Sequence, residues 1–350
     1  MDIITWSAVK IFVITALAFS GAGILTPLVT HFLYKYKLGK AIRSADSAPI
    51  YYEHHKQKSG TPTMGGIIIW ASVLILILVI YYLALLTKFD LFIDLNFFSR
   101  AQTLLPLGAL IAAALVGLVD DIFNVRKIGP NGGGLRVRHK LMLYSAIALI
   151  GAWWFYFKLD WDLLHVPFVG SWQIGWWYIP IFFFIIVATS FSVNETDGLD
   201  GLAAGVLVTN FLAFGAIAFM QGKYDLATFC GAIIGALLAF LWFNIPPARF
   251  FMGDTGSMAL GVTLGVIAML TNTLFLLPII SIVLVIESLS VIIQVLSKKL
   301  RHRKVFLSAP WHHHLEAKGW TEAKIVMRLW VISSVFSLIG FIIYILDKNV

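Results

Sequence analysis

Along most of the chain, apolar residues follow one another without the polar breaks of an amphipathic helix or the alternation of a half-buried strand; residues 67–86 hold no charge at all. A helix that crosses a bilayer needs roughly 20 such residues. That ruler predicts ten transmembrane helices, near 11–33, 64–86, 101–119, 140–157, 176–193, 201–220, 226–243, 258–271, 275–297 and 326–346. The expected fold class is all-α, a polytopic integral membrane protein. No repeat, low-complexity tract or soluble domain interrupts the pattern, so residues 1–350 read as a single membrane-embedded domain. The first run is too long for a signal-peptide core and lacks a small-residue cleavage site, so it reads as a retained span. Residues 87–100, with Phe89, Leu91, Phe92, Phe97 and Phe98, read as an outer helix lying on the membrane.

Charge orients the spans. The segments 34–63, 122–140, 194–200, 244–257 and 298–328 carry 20 of the 26 lysines and arginines, which makes them cytoplasmic and puts both termini outside. Trp153, Trp154, Trp161, Trp172, Trp176 and Trp177 gather around the outer connection between spans four and five, as an interfacial aromatic belt does. The composition, 59% hydrophobic and 13% charged, belongs to a chain whose solvent is lipid. Its net charge of +8 lies in the loops, where it meets anionic lipid or phosphate rather than nucleic acid. Cys230 is the single cysteine, so disulfides are excluded and a core position is expected.

The candidate chemistry sits in the inner segments. Phe251-Met252-Gly253-Asp254-Thr255-Gly256-Ser257 sets one carboxylate, two glycines and two hydroxyls between apolar runs. Its glycines let the backbone approach a ligand, and Thr255 or Ser257 is expected to cap a helix starting at Met258. Asp120 and Asp121 end the third span, where acids oppose the helix dipole, and neighbouring helix positions aim them at different partners. In residues 194–201, Asp197 and Asp200 share a face of a helix that Thr196 or Asp197 would cap. In residues 60–66, Pro62 suits a helix start and the glycines suit close helix contact, while Lys58, Thr61 and Thr63 can donate to an oxygen-rich ligand. The adjacent His312, His313 and His314 cannot converge on one tetrahedral zinc; with Arg301, Arg303 and Lys304 upstream they suit phosphate. Glu287, inside the ninth span, must face a cavity or a partner. Asn244 offers its amide to a base or a sugar at the membrane edge. Carboxylates and hydroxyls on one face favour a hard ion such as Mg²⁺ that leans on substrate phosphates, and hence chemistry on a soluble phosphorylated substrate at the lipid boundary.

These segments resemble the phospho-N-acetylmuramoyl-pentapeptide transferase family, within the polyprenyl-phosphate N-acetylhexosamine-1-phosphate transferases. The motifs are GTPTMGG at 60–66, VDD at 119–121, NxTDGLDGLA at 194–203, LWFN at 241–244, FMGDTGS at 251–257 and APxHHHxE at 309–316, in the family's order. The resemblance implies transfer of phospho-MurNAc-pentapeptide from UDP-MurNAc-pentapeptide to undecaprenyl phosphate, giving lipid I and UMP for peptidoglycan synthesis. It implies a multi-pass homodimer in the bacterial cytoplasmic membrane, with Mg²⁺ as cofactor and the active site on the cytoplasmic face. Asp120, Asp121 and Asp254 match the catalytic positions, with Asp254 as the Mg²⁺ ligand, Asp120 a second candidate ligand, and Asp120 and Asp121 close to the attacking lipid phosphate. Lys58, Asn194, Asp197, Gly198, Leu199, Asp200, Asn244 and Phe251 match the nucleotide-sugar pocket, Phe251 stacking on uracil. His312, His313 and His314 match phosphate or sugar contacts, Thr63 and Lys140 match positions lining the cleft, and the ninth helix is expected to bend beside a groove for the lipid tail. The chain departs from the pattern at Glu195, where an apolar residue is usual, and in the glycine-rich loop 124–139, whose Arg126, Lys127, Arg136 and Arg138 receive no role. Two rivals stand beside this reading: a sister transferase taking UDP-GlcNAc, and a cation-coupled or proton-coupled transporter. A transporter places its ionisable groups near the bilayer midplane, whereas these acids line an edge.

Overall fold

Long unbroken apolar runs can satisfy their backbone polar groups in lipid only by coiling, and the computed structural model shows helices at all ten predicted runs. It describes residues 2–39, 58, 60–129 and 133–348. Most of the first inner loop and the middle of the glycine-rich loop, 130–132, therefore lie outside the described residues.

The helices are α1 (Ile3–Lys35), α2 (Gly66–Thr87), α3 (Asp90–Leu95), α4 (Leu104–Val125), α5 (Val137–Lys158), α6 (Tyr178–Thr196), α7 (Leu202–Met220), α8 (Tyr224–Asn244), α9 (Asp254–Leu270), α10 (Leu277–Ile280), α11 (Ile282–Arg301), α12 (Trp311–Ala317) and α13 (Glu322–Lys348). Eight of the described helices are long and apolar enough to cross a bilayer. Two predicted spans are of another kind. The run at 258–271 belongs to α9, whose 17 residues reach about 25 Å, short of a hydrocarbon core of about 30 Å. The run at 275–297 is broken at Ser281, where α10 and α11 meet at 84°. That bend agrees with the expectation drawn from the resemblance. The fold is also not purely helical: Leu163–Val166 and Gly170–Gln173 form a two-stranded antiparallel hairpin between α5 and α6. Ser171 and Trp172 stand in that hairpin opposite His165 and Leu164.

Every residue of α9 from Thr255 to Leu270 is buried, with α4 and α6 packed against it. Gly261 and Gly265 make this possible, since a Cβ at Gly261 would lie 2.7 Å from the Ser190 backbone and one at Gly265 2.7 Å from Thr189 Oγ1. The bilayer inverts the usual pattern on α11. Leu289, Ile292, Ile293, Val295, Leu296 and Leu300 face outward, while Glu287, Ser288, Ser290, Gln294 and Ser297 are buried. That polar inner face grips the loop beyond it: Gln294 Oε1 accepts from Val305 and Phe306, its amide donates to the Phe306 carbonyl, and Ser297 donates to the Arg303 carbonyl.

Candidate active site at the start of helix α9

The site forms where α9 begins. The expected helix start at Met258 is corrected to Asp254, and the expected caps Thr255 and Ser257 lie inside the helix. The cap comes instead from another helix: Asp121 Oδ1 accepts from the Asp254 N–H at 3.1 Å and Oδ2 from the Thr255 N–H at 3.0 Å. A buried carboxylate at a helix N-terminus satisfies orphan donors and meets the positive end of the dipole, so the sequence needs no hydroxyl cap of its own. Gly253 precedes the helix at φ 73°, and a Cβ there would lie 2.6 Å from both Asp121 Oδ2 and Thr63 Oγ1. Gly117 lets α4 reach the same point, since a Cβ would lie 2.3 Å from the Asp254 carbonyl oxygen.

Asp120 and Asp121 do point apart. Asp120, 2% exposed, accepts the Leu135 N–H on Oδ1, and its Oδ2 lies 2.5 Å from Lys140 Nζ. The same ammonium pairs with Asp254 Oδ2, so Lys140 bridges two carboxylates brought together from α4 and α9. Asp254 Oδ1 accepts from the Asn194 amide at 2.9 Å, and that amide also reaches Ser257 Oγ at 3.0 Å.

The cluster of acids after α6 is a turn, not the start of a helix. α7 begins at Leu202 behind Gly201 with no side-chain cap, so the expected caps Thr196 and Asp197 and the shared helical face of Asp197 and Asp200 are corrected. Asp197 instead accepts from the Gly253 N–H at 3.2 Å. Asp200 takes the Ala248 N–H at 3.0 Å and Lys58 Nζ at 2.7 Å, and Glu322 completes the bridge at 2.6 Å from the same Nζ. Burial alone lowers the Lys58 pKa, but Glu322 and Asp200 outweigh it and hold the ammonium charged above its ordinary value. Leu199 is buried in this turn. Asn244 is committed at both ends of its amide, accepting from the Gly201 N–H at 3.0 Å and donating to the Phe250 carbonyl at 2.9 Å. Phe251 is pinned by its backbone, donating to Pro62 and accepting from Gly65, both at 2.8 Å, and is half-buried.

The three histidines diverge. His312 is fully buried with Nδ1 3.0 Å from Glu287 Oε2, which is the partner Glu287 required. Its Nε2 has no hydrogen-bond partner and abuts Gly198, where a Cβ would lie 2.2 Å away. His313 Nδ1 lies 2.6 Å from Glu316 Oε2, and His314 Nδ1 accepts the Leu307 N–H at 3.2 Å. Burial lowers the His312 pKa, but Glu287, then Glu316 and Glu195, raise it above its ordinary value; burial and then Lys318 lower that of His314.

Among the described residues no three His, Cys, Asp or Glu side chains form a metal cage. A hard divalent ion of the Mg²⁺ kind does not need one, because it is commonly held by one or two carboxylates with water and substrate phosphate. The paired Asp120 and Asp254 oxygens, already gathered on one cation, fit that requirement. Two buried oxygens without hydrogen-bond partners, Thr63 Oγ1 and Asn124 Oδ1, stand at the margins.

Comparison with known proteins closes the question of family. Glycosyl transferase family 4 matches residues 103–272, and the first phospho-N-acetylmuramoyl-pentapeptide-transferase signature matches 58–69. A phospho-N-acetylmuramoyl-pentapeptide-transferase of Chloroflexus aggregans is 38% identical over 338 residues, covering 92% of this chain and 87% of its own. Those of Geobacillus sp. strain WCH70 and Geobacillus thermodenitrificans are each 40% identical, covering 91% and 93% of this chain and 92% and 95% of their own. The chain belongs to the phospho-N-acetylmuramoyl-pentapeptide-transferase family. Within that family assignment the signature covers Lys58 and Thr63, while the broader match spans Asp120, Lys140, Asn194, Asn244 and Asp254.

Four contributors gave little signal in the sequence. Glu322 opens the last helix outside every motif, the Leu135 N–H is a backbone group, and Ser257 reads as a cap. Lys140 was expected merely to line the cleft, because nothing in its own segment marks it as the ion between two distant acids.

Proposed function

We propose that this chain transfers phospho-MurNAc-pentapeptide from UDP-MurNAc-pentapeptide to undecaprenyl phosphate, releasing UMP and forming lipid I for peptidoglycan synthesis. The observation that carries the proposal is the convergence of Asp120 and Asp254 on one ammonium at the start of α9, in a chain of this family. In this reading the chain sits in the cytoplasmic membrane as ten spans, counting α9 and the bent α10 and α11 pair, with both termini outside, the site facing the cytoplasm, and two copies forming a homodimer.

Asp254, with Asp120, would hold Mg²⁺, which when bound supplies charge neutralisation at the pyrophosphate and at the departing UMP. Lys140 keeps the two carboxylates together and can turn its ammonium to the substrate phosphates. A phosphate oxygen of undecaprenyl phosphate attacks the β-phosphorus, and UMP leaves with the bridging oxygen. The acceptor phosphate has its second pKa near about 6, so much of it is already dianionic and Asp120 need only position it. The protein's task is then alignment rather than covalent chemistry, which favours direct attack over an aspartyl-phosphate intermediate. Phe251 stacks on the uracil; Lys58, Asn194, Asp197, Gly198, Leu199 and Asp200 shape the sugar-nucleotide side, and Thr63 lines the cleft. His312, His313 and His314 meet phosphate or sugar from α12. Asp121 and Asn244, whose polar atoms are committed to backbone, position α9 and the loop before it.

The experiment is UMP release from UDP-MurNAc-pentapeptide by the full chain, with and without Mg²⁺ and lipid acceptor, and with UDP-GlcNAc as the alternative donor. Release that requires acceptor, Mg²⁺ and the MurNAc donor is expected. Preference for UDP-GlcNAc would point to the sister transferases, and ion uptake by proteoliposomes without UMP release would point to a transporter. Wild-type turnover by Asp254→Asn in excess Mg²⁺ would remove the ligand assignment.

A further inference from the structure

A cavity with a mostly apolar wall and two cations at its rim opens at the same end of the bundle, away from Asp254. It has a volume of about 470 Å³ and is lined by Thr26, Pro27, Thr30, His31, Tyr34 and Lys35 of α1 with Phe243 and Arg249 from the end of α8 and the loop after it. The α1 residues form two adjacent rows on one helix face, Pro27, His31 and Lys35 beside Thr26, Thr30 and Tyr34, each spaced by one turn. Tyr34 joins the two elements, its hydroxyl donating to the Arg249 carbonyl at 2.7 Å, and the Arg249 guanidinium lies 5.5 Å from the centre of the Phe243 ring.

We infer that this cavity binds the phosphate group of a membrane lipid. Lys35 and Arg249 are exposed, come from segments more than two hundred residues apart, and have no carboxylate within ion-pair distance among the described residues. A cation at a helix end alone is an ordinary surface charge. Two of them held across a cavity, with the His31 imidazole on the same helix face, make a pocket whose charged donors suit a phosphate, while the Thr26, Thr30 and Tyr34 hydroxyls already donate to backbone carbonyls and only shape its wall. The apolar surface beside it distinguishes lipid from free phosphate: Ile24 and Leu28, on the stripe that leads to His31 and Lys35, are 79% and 56% exposed. A phosphate seated between Lys35 and Arg249 would lay its acyl chains along that stripe. None of the side chains around Asp120, Lys140 and Asp254 takes part, so the site is separate from the transfer chemistry. It does adjoin it through the chain, because Ala248, beside Arg249, donates its N–H to Asp200.

The test uses the delipidated full chain in neutral detergent, titrated with short-chain phosphatidylglycerol, with short-chain diacylglycerol lacking phosphate, and with inorganic phosphate, the bound species being counted by native mass spectrometry. One saturable phosphatidylglycerol adduct is expected, with weaker binding of inorganic phosphate and no saturable diacylglycerol adduct. Lys35→Gln and Arg249→Gln should each weaken the adduct about fivefold and together about 25-fold. Asp254→Asn should leave it unchanged. Because both cations are exposed, thermal unfolding of the double variant should match wild type; if it does not, Lys35→Glu alone provides the second reading, with a loss larger than that of Lys35→Gln. Equal binding of diacylglycerol, or a double variant that folds and binds phosphatidylglycerol as wild type does, overturns the site. Inorganic phosphate binding as tightly as phosphatidylglycerol overturns the lipid as its occupant.

Discussion

Asp121→Asn separates a residue that holds the catalytic helix from one that takes part in the reaction. In the structure both oxygens of this carboxylate, 4% exposed, are used by the N–H groups of Asp254 and Thr255. Asparagine keeps one acceptor and turns an NH₂ group toward the second N–H. The change removes one charge-assisted hydrogen bond, worth about 1.5–3 kcal/mol, and the interaction of a full charge with the helix dipole, worth about 0.3–1 kcal/mol and more where partly buried. A destabilisation of about 2–4 kcal/mol follows, together with loss of UMP release because Asp254 is no longer held. Asp254→Asn is the control. Lys140 retains Asp120, and relief of the repulsion between the two carboxylates offsets the lost pairing, so stability should fall less than in Asp121→Asn while turnover is lost. Thermal unfolding of the purified full chain, read by tryptophan fluorescence, is paired with the UMP-release assay. Asp121→Asn with a wild-type midpoint but no activity would refute the capping role and return Asp121 to the reacting atoms.

Gly117→Ala is expected to force α4 and α9 apart, because its Cβ would meet backbone atoms of Asp254 and Thr255 at 2.3–2.6 Å, and overpacking of this kind costs about 1–3 kcal/mol or more; wild-type kcat and midpoint would contradict the close approach. The charged form of His312 is favoured by Glu287, so its contribution to stability is complete below its ordinary pKa of 6.5 and is lost as pH rises through the elevated folded value. The wild-type unfolding midpoint should therefore fall as pH increases above that point and the fall should flatten in Glu287→Gln; an identical slope in both proteins would show that this pair does not titrate as described. Phe251→Ala should weaken uridine nucleotide binding about 5-fold to 150-fold, the range for loss of one stacked base, without weakening undecaprenyl phosphate, and calorimetric titration of each ligand checks the difference.

Spacing along the chain and proximity in the fold carry different information here, and the site shows where they part. The apolar runs are legible because lipid leaves a coiled backbone as the one way to satisfy its polar groups, so all ten runs are helical. The apolar run alone could not show that α9 is a short helix buried by its neighbours on all sides, nor could it show the break at Ser281, because an apolar run reads the same when its axis turns by 84°. The hairpin at 163–173 is hidden in the sequence by Trp172 and the tryptophans flanking it, which suit an interfacial belt as well as a strand. In the site, the acids stood out as ionised groups at span ends, but their division of labour did not. Asp120 and Asp121 are neighbours in one helix, yet one joins Lys140 and the other closes the first turn of α9. Which neighbour does which depends on how closely α4 meets the start of α9, and Gly117 permits that approach against the Asp254 backbone. The same logic governs His312, whose unpartnered Nε2 reaches Gly198 because that position has no side chain and because Glu287, on a different helix, takes its other nitrogen. A motif therefore names the groups that are present; the glycines that let backbones touch decide which of those groups face the substrate and which face each other.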